Sequence, residues 1–170
     1  PADEAQITAI ARAHQPAEAV AVMLSWWDTM QSAFRVARDP DGSPVAFQCL
    51  CAATSVPARL LAADRVTAAW REHLRASPVP RGQQVLFLRH MLAADGGEAT
   101  TPANAALILD LKRRYLEMRP RLRRIYSLAA DPAAVLSQFA PLGFARLPDG
   151  AAEIGGTTYH ALYNDFGPSS

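Results

Sequence analysis

From Ala2 to His14 the apolar residues Ile7, Ile10 and Ala11 recur at three- and four-residue spacing, which predicts a helix. Pro16 suits the first position of a second helix, whose apolar residues are Val20, Met23, Leu24, Trp27 and Met30. At Ala33 the period changes to two. Phe34 and Val36, then Val45, Phe47 and Cys49, alternate on either side of Asp39-Pro40-Asp41-Gly42, and a hairpin follows from that pattern. Ala63 to Ala76 returns to helical spacing, with Asp64 as N-cap, a stripe of Val66, Ala69, Trp70 and Leu74, and Pro78 and Pro80 closing it.

Val85 to Leu92 is an apolar run of strand length, as a central strand covered on both faces requires. Gly96 and Gly97 break it. Thr101 can cap and Pro102 can open a helix that runs to about Met118, with Leu107, Ile108, Leu111, Tyr115 and Met118 on one side. Arg124 to Ala129 reads as a strand and Pro132 to Phe139 as a short helix. Phe144 to Leu147 and Thr157 to Phe166 read as a closing strand pair. The order is ααββαβαβαββ, without internal repeat, which describes a single mixed α/β domain.

Composition supports one globular domain: the chain has 170 residues, 50% apolar and 19% charged. The net charge of +1 is small for a general polyanion binder. Only the run Arg113, Arg114, Arg119, Arg121, Arg123, Arg124 suggests phosphates, and a solvated helix end, with cations favoured at its C-terminal dipole, accounts for most of it. Nucleic acid is therefore not an expected partner. No stretch reaches the ~18 apolar residues of a membrane span, and the start lacks the order of a signal peptide, so the chain reads as cytoplasmic. Cys49 and Cys51 lie two apart on one strand face and read as packed thiols. Metalloprotease, serine-hydrolase and Walker motifs do not occur, and no metal is expected. The chain begins at Pro1 and ends on Gly167-Pro168-Ser169-Ser170, which reads as a piece excised from a larger, multidomain protein.

Gln138-Phe139-Ala140-Pro141-Leu142-Gly143-Phe144 is similar to the Tyr-x-x-Leu-Gly-Phe ending of a helix in the GNAT superfamily of N-acetyltransferases. Ala106-Leu107-Ile108, with Leu111 a turn later, resembles the start of that family's helix after its phosphate loop. The resemblance runs mainly over residues 85–166. It implies a mixed, mostly antiparallel sheet flanked by helices, with residues 63–82 as a helical insertion. It also implies transfer of an acetyl group from acetyl-coenzyme A to a small-molecule or peptide amine. The acyl carbonyl and pantetheine would pair with backbone at Met91, Leu92 and Ala93. The diphosphate would sit at a helix N-terminus, whose free N–H groups and dipole attract anions, at Thr100, Thr101, Ala103, Asn104 and Ala105.

The sequence departs from the family pattern at several of these places. Ala99, Thr100, Pro102 and Asn104 stand where the family has Arg/Gln-x-x-Gly-x-Gly/Ala, and Asp131-Pro132 replaces an asparagine. Phe139 takes the place of a frequent tyrosine and has no proton to give a departing thiolate. Tyr159 and Tyr163, on one face of the last strand, are the candidate acids, and His90 is the candidate base. Glu98 is a loop carboxylate that can activate a water or an amine, or simply be solvated. The same departures support an alternative: an inactive module that senses coenzyme A or another ligand, or binds a protein, within a larger regulatory protein.

Overall fold

The computed structural model describes residues 2–167. Helices α1 (Ala2–His14) and α2 (Ala17–Met30) lead into strands β1 (Phe34–Arg38) and β2 (Pro44–Ala52). Next come α3 (Ala58–Ala63), α4 (Arg65–Ala76), β3 (Gln84–Ala93), α5 (Pro102–Met118), β4 (Leu122–Ala129) and α6 (Pro132–Phe139). Strands β5 (Ala145–Ile154) and β6 (Thr157–Asp165) close the chain. The six strands form one sheet in the order β1-β2-β3-β4-β6-β5, in which only the β3–β4 pair is parallel.

The helices cover both faces. One face carries α1 to α4 and a core containing Met23, Trp26, Phe47, Trp70, Phe87 and Tyr126. The other carries α5 and α6 over Leu86, Leu88, Leu111, Ile125, Val135 and Phe139. Strand β3 alternates between these two cores, which is why its sequence is apolar on both sides. No helix among the described residues is long and apolar enough to cross a membrane.

Two expectations need adjusting. The expected helix after β2 is α4, capped as expected by Asp64 accepting from Val66 N–H, but a further short helix, α3, precedes it, the two being separated at Asp64 by φ −101° and ψ 107°. Strand β5 continues well past Leu147: Pro148, Asp149 and Gly150 form an irregularity inside it, with Asp149 at φ 56°, and pairing with β6 resumes at Ala151. Cys49 and Cys51 are buried free thiols.

Candidate active site

Strands β3 and β4 are paired from Gln84 and Leu122 as far as Phe87 and Tyr126, and then part. Beyond that point β3 is held by β2, and β4 by β6. The cause is local to β3. Cys49 pairs with His90 but the next residue, Leu50, pairs with Leu88, so Arg89 is an extra residue in the strand. Such a bulge bends its strand and increases its twist. It also turns Arg89 and His90 to the same side, toward α1 and α2, where His90 lies against the Trp26 and Phe34 rings.

The parting strands leave a slot that connects the two sheet faces. Leu88, Met91, Val135, Phe139, Phe144 and Leu162 line it on the α5–α6 side. Gln15, Arg89, His90 and Glu98 give it polar groups toward α1 and the β3–α5 loop. It holds about 20 Å³ of free space in this state, room for little more than a water molecule.

Arg89 and Glu98 are held firmly. Arg89 donates from Nε to Asp64 Oδ2 at 2.5 Å and from Nη2 to Oδ1 at 3.2 Å, and Trp26 Nε1 donates to Asp64 Oδ2 at 2.8 Å. Burial, and then the Arg89 charge, push the His90 pKa well below the usual histidine range, so the ring is neutral at pH 7. Its Nε2 is buried without a partner in the structure. Glu98 reaches across the mouth of the slot, accepting from Ala130 N–H at 2.9 Å and 3.2 Å and from Asp131 N–H at 3.4 Å. Burial raises the Glu98 pKa; the two N–H groups oppose that shift, and Asp131 adds to it.

The residues singled out in the sequence do not all meet at the slot. His90, Met91 and Leu92 line the slot. Ala93 uses its N–H and C=O on Gly97, at 2.9 Å and 3.2 Å. Tyr159 is buried near the mouth, its pKa raised by burial and by the Glu98 charge and lowered by Arg89. Tyr163 lies at the closed end instead, opposite Tyr126 in register and 5.0 Å from the His73 ring. Thr101 and Ala103 face a separate shallow groove beside Arg38 and Ala106, while Thr100 is exposed and Ala105 half-buried. Thr101 Oγ1 caps α5 by accepting from Asn104 N–H at 3.1 Å. The Asn104 side chain is buried beneath the loop and donates to the Gly97 and Ala99 carbonyls at 2.9 Å and 2.8 Å.

Sequence reasoning missed Asp64, Gln15 and the bridging role of Glu98. The cap signal at Asp64 was visible; its ion pair with Arg89, 25 positions on, was not. The basic run is largely neutralised: Arg113 and Arg114 pair with Asp110, and Arg123 and Arg124 with Asp165.

A mixed sheet whose one parallel pair splays around a bulge, with helices on both faces, defines a recognised architecture. The structure is similar to the NatC complex bound to Gag peptide and CoA, with a TM-score of 0.61 at 10% identity, covering 98% of this chain and 92% of that one. Mosquito arylalkylamine N-acetyltransferase like 5b gives 0.58 at 8% identity, over 96% and 95% of the two chains. The C-terminal condensation domain of Ebony in complex with beta-alanyl-dopamine gives 0.55 at 14%, over 87% and 80%. No family model matches the chain. No curated protein sequence matches it either. The chain adopts the GNAT acetyltransferase fold.

Proposed function

We propose that the domain transfers an acetyl group from acetyl-coenzyme A to an amine by direct attack. The observation that carries this reading is the parting of β3 and β4 beyond Phe87 and Tyr126. It leaves strand backbone at Met91 and Leu92 beside a slot lined by residues of both sheet faces, so that, once widened, a thioester arm entering from one side meets an acceptor from the other. Two of the structures similar to this one, the NatC and NatB complexes, are bound to CoA, which supports the choice of donor. In this reading the α5 N-terminus, from Thr100 to Ala105, faces the donor's diphosphate, with the Thr101 hydroxyl and the Ala103 N–H as donors, since Asn104 N–H is held by Thr101 Oγ1 and Ala105 N–H by the Thr101 carbonyl. Tyr159, near the mouth, is the candidate acid for the leaving thiolate; Tyr163 and His90 are the weaker candidates, one by position and the other by burial. The slot must widen to admit the arm, because its free space is about that of a water.

A second reading is favoured by Asn104, whose side chain fills the loop where a diphosphate would be cradled. It describes a domain that binds a pantetheine-bearing ligand or a protein without turnover. Calorimetry and thermal unfolding with millimolar acetyl-coenzyme A and coenzyme A test both readings. Absence of heat and of protection overturns the first. Binding followed by acetylation across a panel of amines overturns the second.

A further inference from the structure

Tyr126 is the last residue of β4 to pair with β3, opposite Phe87, so it stands at the vertex where the two strands part. Its ring packs on Trp70 of α4, on Phe87 and on Tyr163. Its hydroxyl meets two further side chains: Arg124 donates to it from Nη1 at 3.2 Å, and His73 Nδ1 of α4 lies 2.7 Å away. Arg124 also donates to the Ser77 carbonyl at 2.8 Å and to Asp165 Oδ2 at 2.6 Å, so α4, β4 and β6 are tied together at this point. The arrangement that satisfies every group has the phenol oxygen accepting from Arg124 and the phenol proton given to His73 Nδ1. That assigns a neutral ring with its proton on Nε2. Burial, and then the Arg124 charge, lower the His73 pKa while Asp165 opposes them, which keeps the ring neutral at pH 7.

Once Nδ1 carries a proton, His73 can no longer accept. The buried phenol proton then has no partner, and two cations converge on one phenol oxygen. His73 is only half-buried, so it can turn to water instead, and in either case the bond to Tyr126 is lost. The groups that face His73 are Arg124 and Tyr126 from β4 and Tyr163 and Asp165 from β6. Beside it on α4, Glu72 and Arg75 pair with each other. α3 and β5 also pack on α4 and carry Arg59 and Arg146, Asp149 and Glu153, none of which bonds to His73 among the described residues. We propose that the His73–Tyr126 bond clamps the vertex of the β3–β4 fork and that uptake of a proton by His73 releases it, so that mild acid widens the slot. With α4 no longer holding Tyr126, β4 can part from β3 one pair earlier. The change is large beside a free space of about 20 Å³. A histidine serves this purpose because its charge changes within the physiological range.

The test is amide hydrogen exchange of the whole chain at about pH 7.5 and about pH 5.5, with rates corrected for the chemical pH dependence and the β1–β2 pair as the internal reference for global stability. Protection over residues 85–88 and 124–127 is expected to fall about tenfold more than protection in β1–β2 on going to the lower pH. A vertex that follows β1–β2 at both pH values overturns the proposal. His73→Asn keeps an acceptor near the position of Nδ1 but cannot take a proton, and it should abolish the extra fall; an extra fall as large as the parent's overturns the proposal. Should that variant fail to fold, Tyr126→Phe decides. It is expected to show the lower protection already at about pH 7.5 with no further step, and a persisting step overturns the proposal. The experiment needs no ligand, so its outcome stands apart from the acyl-transfer reading.

Discussion

Asp64 and Arg89 form a two-point ion pair inside the protein, with side chains 1% and 3% exposed, and the same carboxylate caps α4 and accepts the Trp26 indole proton. Removing one partner of such a pair leaves an uncompensated buried charge. Asp64→Ala is therefore expected to lower stability by about 3–5 kcal/mol, read as a shift of the urea midpoint. Adding Arg89→Met should recover a large part of that loss, because both charges are then gone. A double variant as unstable as the single one would show that the cap and the Trp26 contact, not the charge, carry the effect.

His90 makes the fold sensitive to mild acid. Its folded-state pKa is depressed by burial and by Arg89, so the unfolded chain binds a proton near pH 6.5 that the folded chain refuses. Stability is thus fully present above about pH 6.5 and falls by up to about 1.4 kcal/mol per pH unit as the pH drops below it. His73, also depressed by burial and by Arg124, acts in the same sense. Glu98, with a raised pKa, acts in the opposite sense at lower pH. His90→Phe should flatten the slope between about pH 6.5 and 5 in denaturant titrations, since the ring already packs on Trp26 and Phe34. An unchanged slope would assign the acid sensitivity elsewhere.

The β3–α5 loop depends on Asn104. Its amide ties the Gly97 and Ala99 carbonyls to the first turn of α5. Asn104→Ala should cost about 1–3 kcal/mol and speed amide exchange over residues 96–101. Asn104→Asp should cost more at pH 7, because it replaces the donor with a charge facing two carbonyl oxygens. If aspartate were tolerated better than alanine, the loop would not be closed by these bonds.

Much of this fold was legible because local signals agreed with one another. The turn at Asp39 to Gly42, the Thr101-Pro102 and Asp131-Pro132 helix starts, and the unbroken apolar run of β3 each place an element within a few residues of where it lies. The site was less legible, because its parts come from distant positions. No local pattern announces that β3 and β4 pair for four residues and then separate, or that Glu98 finds its partners 32 positions later. The extra residue at Arg89 is equally silent, since a bulge is a property of pairing with β2 and not of the sequence around it. Proline and glycine misled at β5, where a kink inside the strand looked like its end.

Phe139 offers a direct test of how the slot handles the departing thiolate. It stands where the resembled family has a tyrosine, it is 5% exposed, and it lines the slot against Phe144 with ring centroids 5.2 Å apart at 80°. A phenol there would sit on the wall of the slot and could donate to a thiolate forming inside it, a role phenylalanine cannot fill. Phe139→Tyr is expected to raise the transfer rate by about tenfold or more, with coenzyme A affinity nearly unchanged, since the new hydrogen bond forms as charge develops on sulfur. Its cost in stability should stay near 1–2 kcal/mol if water entering the widened slot pairs with the hydroxyl, and be larger if the slot stays dry. Tyr159→Phe should then matter less in the Phe139→Tyr background than in the parent, because the two phenols would compete for one task. Losses that simply add in the double variant would place Tyr159 outside the proton path and leave its position near the mouth a matter of packing.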